Sequence, residues 1–391
     1  MTTAGVTLTA ALLGLVAVGA QAPAAPPAAP KPATQKAAAQ KPVTQKAVAP
    51  TAVAPRPPAV SRTSDGRPNL QGNWTNATIT PFERMGADRP LVLSEEAALE
   101  EERKTQNAID ARETASDPNR GAPPVGGEAR KSPNAEPTYL ERVWQAGAGV
   151  VGGYNSFWVD PGDRVLRVDG QPRSSILIDP PNGRAPGYTP EGRARLAAAT
   201  AARTKAGGEY DHPELRPLAE RCITSFGNNL GPPMLPNYFY NNSYTIVQTK
   251  DHVMILTEMV HDARVVRMGG THPPASFRQW FGDSIGRWEG DTLVIETTNF
   301  HPNHGFRGSW ENLKVTERLT RKDATTLKYR FTVEDSTTFT APLMGELEFR
   351  AMAPDEQVYE YACHEANYGL EGVMSGARSQ EREAAKKKSQ Q

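Results

Sequence analysis

The chain has 391 residues, room for one large domain or two ordinary ones. Its 44 basic and 44 acidic residues cancel unevenly: residues 1–60 hold five basic residues and no acid, so the remainder carries 39 basic against 44 acidic, a net of −5. That sign argues against a nucleic-acid partner, which needs a basic face.

Residues 6–20 are small and apolar, too short to span a bilayer, and Ala20-Gln21-Ala22 offers an A-x-A cleavage site. The expectation is a signal peptide over 1–22, although Met1-Thr2-Thr3 brings no Lys or Arg; an uncleaved N-terminal anchor is the alternative. No other stretch approaches membrane-span length, so no transmembrane span is expected in the mature chain, which is placed in the periplasm or outside the cell. Residues 23–60 are Ala, Pro, Lys, Gln and Thr, with KPATQKAAAQ followed by the near-duplicate KPVTQKAVAP. Such composition predicts a disordered, extended linker.

Order is expected from Ser61, where SRTSDGRPNLQGNW combines turn chemistry with an apolar step through Leu70 and Trp74. Residues 94–115 predict a surface helix, with Ser94 as N-cap and Glu95 and Glu96 at the positive end of its dipole. Residues 116–137 read as loop. The run 150–158, with paired glycines before three aromatics, predicts a strand or loop close to another surface. Residues 174–181 predict a strand stopped by prolines. Thr189-Pro190-Glu191 starts a helix running to Lys205, and a shorter one is expected near 217–222. The region 61–235 is thus expected to be an irregular, partly helical capping layer.

After Gly231-Pro232-Pro233 the texture turns to alternation. Strands are expected at 244–250, 253–259, 264–268 and 292–300, the last entered through a turn at Trp288-Glu289-Gly290-Asp291. Three long ones follow at 312–321, 325–334 and 338–352, with Pro342 and Gly345 implying a bend or edge. A final strand is expected at 357–363. The predicted fold is mainly β: an antiparallel up-and-down barrel of about eight or nine strands over 236–378, wide enough for a small ligand. Residues 379–391 are expected to be a frayed, charged tail. Cys222 and Cys363, two distant cysteines in an exported chain, predict one disulfide; two buried thiols are the alternative.

Gly72-Asn73-Trp74 matches the G-x-W that opens the first strand of lipocalins, a weak lipocalin-like resemblance; a Trp packing the end of any core would read the same. A broader likeness rests on SDGRPNLQGNW, EMVHDAR, GRWEGDTLVIETTNF and YEYACHEANYG. Over about residues 61–378 the chain resembles a large group of secreted bacterial proteins, abundant in soil bacteria such as acidobacteria. The resemblance implies secretion and supplies no catalytic residues.

Three constellations carry chemistry. Glu258, His261, Asp262 and Arg264 lie together: a His beside carboxylates suits a general base, and Arg264 can hold a carboxylate, a ligand's or the protein's own. On one extended strand His261 and Asp262 would face opposite ways unless the chain bends. Cys363-His364-Glu365-Ala366-Asn367 is the second; His364 or Glu365 would meet the first cluster if first and last strands adjoin, and Asn367 is a candidate ligand contact. A strand-end ion-pair network, or a Cys-His nucleophile, uses the same residues. His301 and His304 form the third. No H-E-x-x-H, C-x-x-C or acidic Ca loop accompanies them, so no metal or other cofactor is expected.

Tyr240, Asn241, Asn242 and Trp280 supply aromatic and amide groups of the kind that line pockets, or pack cores. There is no G-x-S-x-G, P-loop or G-x-G-x-x-G. The expected function is binding a small, partly apolar organic molecule. The alternatives are a cofactor-free lyase, isomerase or hydrolase with His261 as base, and a surface interaction module on the linker. Nothing in the sequence sets the oligomeric state.

Overall fold

The computed structural model describes residues 60–86, 88–113, 119, 121, 132–147, 160–225 and 231–390, all within the unit Arg56–Gln391. The expected leader, most of the linker and the 150–158 run lie outside the described residues. In chain order the first elements are β1 (Gly72–Thr75), α1 (Glu95–Glu113), α2 (Tyr139–Gly147), β2 (Arg167–Val168), β3 (Gln171–Pro172), β4 (Leu177–Asp179) and α3 (Pro190–Ala206). Then come β5 (Ser243–Gln248), β6 (His252–Thr257), β7 (Ala263–Met268), β8 (Asp283–Glu289) and β9 (Thr292–Thr298). The chain ends with β10 (Lys314–Arg321), β11 (Thr326–Glu334), β12 (Leu343–Ala351) and α4 (Gly369–Ser389).

The protein is mainly β, and nine strands close into a barrel in the order β1, β5 to β12, and back to β1. Trp74 on β1 stands opposite Tyr244 on β5 and opposite Ala351 on β12. The short G-x-W segment is therefore the closing strand, and the barrel starts at Gly72 rather than within the expected 236–378. Two further expectations are corrected by that insertion. A ring of nine strands cannot alternate direction all the way round, and the like-directed pair is β7 with β8, parallel with Val266 opposite Ser284. Parallel neighbours need a long crossover, and residues 269–282 supply it. The expected strand at 357–363 does not form. The edge of β12 that it would use is taken by β1 near Ala351 and by β4 near Gly345.

Alternation turns the apolar residues of each strand inward. Ile295, Thr297, Val315, Tyr329, Phe331, Val333, Leu347 and Phe349 are all fully buried, so the interior is filled by side chains around these positions. At one end Gln248 plugs the barrel, accepting from Leu70 N at 2.8 Å and donating to Pro68 O at 3.2 Å. The bend expected near Gly345 appears as a register shift against β4. Gly345 lies directly opposite Phe331, and a Cβ there would stand 2.2 Å from its ring.

The layer before β5 follows the capping signals. Ser94 Oγ accepts from Ala97 N at 3.2 Å, and Thr189 Oγ1 from Gly192 N at 2.9 Å with Pro190 in the first turn. A satellite cluster of Ile79, Leu93, Ala98, Leu140, Trp144 and Val165 seats α1 and α2. Residues 217–222 form turns rather than the expected short helix. The expected frayed tail is the exposed helix α4, because its Ala, Glu, Gln, Arg and Lys are strong helix formers and Lys386–Lys388 suit the dipole's negative end.

Gly345→Ala tests the contact with Phe331. Overpacking there is expected to lower unfolding free energy by about 1–3 kcal/mol, read from the denaturant midpoint.

Candidate functional site

The fold divides the cluster Glu258, His261, Asp262 and Arg264 between two places. Alternation along β7 turns Arg264 inward beside Val266. Its guanidinium donates to both oxygens of Glu317 on β10, through Nη2 at 2.9 Å and through Nη1. Tyr329 Oη donates to Glu317 Oε1 at 2.7 Å and accepts from Met234 N at 2.9 Å. Glu317 is 0 % and Arg264 5 % exposed, so the pair is sealed in the barrel. Burial alone would lower the Arg264 pKa; the charge and hydrogen bonds of Glu317, with Tyr329 and Tyr244 adding to them, together outweigh it and raise it. Burial, aided by the Glu317 carboxylate, pushes the Tyr329 hydroxyl well up. Burial does the same to Tyr244, whose Oη accepts from Asn76 Nδ2 at 3.2 Å. Arg264 thus holds the protein's own carboxylate.

Between β6 and β7 the chain makes the bend that the cluster required. Val260 and His261 have φ of 63° and 47°, left-handed values that a β-branched residue rarely adopts. Thr257 N donates to Asp262 O at 2.9 Å across the turn. Met259 and Val260 are buried, His261 is exposed and Asp262 is half-buried. Burial raises the Asp262 pKa, opposed by neighbouring His261. The His261 Nδ1 lies 3.0 Å from Tyr361 O. A carbonyl only accepts, so that nitrogen carries the proton. Among the described residues no side-chain hydrogen bond or ion pair joins His261 to Asp262 or Glu258; the link to Glu258 is through the backbone, His261 N donating to Glu258 O at 3.1 Å.

Tyr361 belongs to a strap. Leaving β12, the chain bonds Met352 N to Asn73 O at 3.0 Å and reaches Cys363, which is disulfide-bonded to Cys222 across 141 positions. Two recesses flank the strap, and both are lined by Glu258, Gln357, Tyr359 and Glu360. The larger, about 760 Å³, lies at the end of the barrel and adds Tyr240, Asn241, Asn242 and Ser243. The smaller, about 530 Å³, lies against Asn73, Thr245 and Leu256 and takes in His261. Tyr240 and Tyr361 stack with centroids 6.3 Å apart. Asn242 is buried and braces the rim: its Oδ1 accepts from Asn237 N at 2.7 Å and its Nδ2 donates to Asp160 O at 3.1 Å.

The remaining expected residues lie elsewhere. Trp280, in the crossover between β7 and β8, stacks on His301 at 4.1 Å, and Phe281 meets the His304 ring edge-on at 5.0 Å. Burial lowers the His304 pKa. His364 and Glu365 occupy an exposed turn after the disulfide, and Asn367 Nδ2 donates to Cys222 Sγ at 3.2 Å. With Cys363 oxidised, no thiol nucleophile stands beside His364. Among the described residues no three of His, Cys, Asp and Glu are placed to hold a metal ion. Sequence reasoning missed the strap residues Tyr359, Glu360 and Tyr361 because 357–363 reads as a strand by its own pattern, and Asp355 and Glu356 because they read as the turn leading into it. It missed Glu317 as the partner of Arg264 because that pairing spans 53 positions.

Comparison with protein-family models, curated proteins and solved structures finds no match for the chain.

Arg264→Leu leaves the Glu317 carboxylate buried and unpaired, with an expected loss of about 3–5 kcal/mol of unfolding free energy. His261→Ala, at an exposed position, is expected to shift it by less than about 0.5 kcal/mol; both are read as denaturant midpoints. The C222S/C363S variant is expected to lose about 5 kcal/mol on chain-entropy grounds. Its amide exchange should rise first across residues 353–361. Equal protection there in both proteins would show that the disulfide does not hold the strap.

Proposed function

We propose that the protein binds a small, partly apolar organic molecule in the recess between the barrel's end and the strap. The observation that carries this reading is the cleft of about 760 Å³, walled by Tyr240, Tyr359 and Tyr361 and by the polar groups of Asn241 and Ser243. That combination of size, aromatic wall and a few polar groups is typical of ligand sites, which run from about 300 to 1,000 Å³. The barrel interior is a poorer candidate, because its inward-facing side chains are sealed from solvent. Any lipocalin-like relation would therefore extend to the G-x-W strand and the closed barrel, with the ligand carried outside the lumen.

A periplasmic or secreted location accords with the apolar run at 6–20 and with the disulfide, since such bonds persist in oxidising compartments. The likeness to secreted acidobacterial-type proteins points the same way. A cofactor-free enzyme built on His261 has weaker support, because the ring is oriented by a backbone carbonyl rather than by a carboxylate.

Mass spectrometry of the denatured full chain, purified from cells grown in complex medium, tests the reading. An organic compound is expected at close to one per chain, and at least tenfold less should remain with Tyr361→Ala. The reading fails if nothing is released and no member of a panel of small aromatic and aliphatic amines, acids and alcohols raises the unfolding midpoint.

A further inference from the structure

The charge of the same recess narrows the ligand class, an inference that rests on the function proposed above. Among the described residues six carboxylates belong to buried side chains: Glu141, Glu258, Asp283, Glu317, Asp335 and Glu346. Five are satisfied within the protein. Glu141 accepts from Asn134 and from Thr138 N, and Asp283 from Arg267 and His272. Glu317 accepts from Arg264 and Tyr329, Asp335 from Ser309 and Thr338, and Glu346 from Arg330. Glu258 is the exception. It is 9 % exposed, yet no hydrogen bond or ion pair reaches its carboxylate from any described residue. Its oxygens are not among the buried polar atoms that are sealed from solvent without a partner, so what remains open of them faces the two recesses it lines. An uncompensated buried charge is unfavourable until a counter-charge arrives.

The surroundings have the same sign. Among the described residues the larger recess is lined by Asp160, Asp355, Glu356 and Glu360 as well as Glu258, and by no Lys, Arg or His. Such a wall repels anions and concentrates cations. A bare metal ion does not fit, because no three ligating side chains among the described residues are placed to share one. The carboxylates are spread along a cavity whose other walls are the stacked Tyr240 and Tyr361 and the largely exposed Tyr359. Tyrosine faces attract an ammonium group and also cover an apolar body. We infer that the recess takes an organic ammonium ion with an apolar or aromatic body, and that Glu258 is its counter-ion.

Calorimetric titration of the full chain with 2-phenylethylammonium, 2-phenylethanol and 3-phenylpropanoate separates charge from shape. The ammonium ion is expected to bind at least tenfold more tightly than the alcohol, with no heat from the carboxylate. Glu258→Gln should remove that preference, and Glu258→Asp should restore part of it. The double variant D355N/E360Q, altered at two exposed strap positions, should weaken the ammonium ion alone by a few-fold, which keeps the test valid if position 258 is needed for folding. Equal binding of ammonium ion and alcohol, unchanged in these variants, would overturn the counter-ion role while leaving a small-molecule site in place. Binding of none of the three, with no ligand recovered from the purified chain, would remove both.

Discussion

The structure depends on one insertion: four residues, Gly72–Thr75, wedged between β5 and β12. A sheet with an open edge invites further pairing. By occupying the last edge, β1 closes the ring and makes the strand number odd, and an odd ring must hold one like-directed pair. That pair is β7 and β8, with residues 269–282 thrown across to join them. Closure also leaves the chain after β12 with nothing to pair against. It is driven over the outside of the barrel, where Cys363 finds Cys222, and the space beneath it is the recess.

Two carboxylates on neighbouring parts of the fold show how differently one residue type is used. Glu317 is enclosed with a guanidinium and a phenol, and every contact it makes belongs to the protein. Glu258 sits at the end of β6, just before two left-handed residues, buried but unmatched. Buried ion pairs contribute little net stability compared with apolar packing, so the interior pair reads as an aid to register between β7 and β10. The unmatched acid has no such structural use, and the recess it faces gives it another.

Much of this was legible in the sequence. Period-2 alternation placed β5, β6, β7, β9, β10 and β11, and cap residues placed α1 and α3, because those signals are local. The disulfide followed from the cysteine count and the expectation of an exported chain. Edges are not local. Nothing in the Tyr359–Cys363 stretch reveals that the edge it would join is already filled by a segment nearly three hundred positions earlier, so a strap was read as a strand. The same blindness separated Arg264 from its true partner and gathered His364, Trp280 and Asn367 into a site that the fold disperses. Of the candidate residues, Glu258, Tyr240, Asn241 and Asn242 line one recess, because they lie beside the ends of β5 and β6 and come together through that pairing.

One wall of the recess is therefore part of a closed hydrogen-bonded ring, and the other belongs to no strand at all. Substitutions in the ring disturb its hydrogen-bonded neighbours, whereas changes at exposed strap positions such as Asp355, Tyr359 or Glu360 touch little besides the recess they line. Such a division lets selection retune specificity over generations without placing foldability at risk, and related chains would be expected to diverge first along that ribbon.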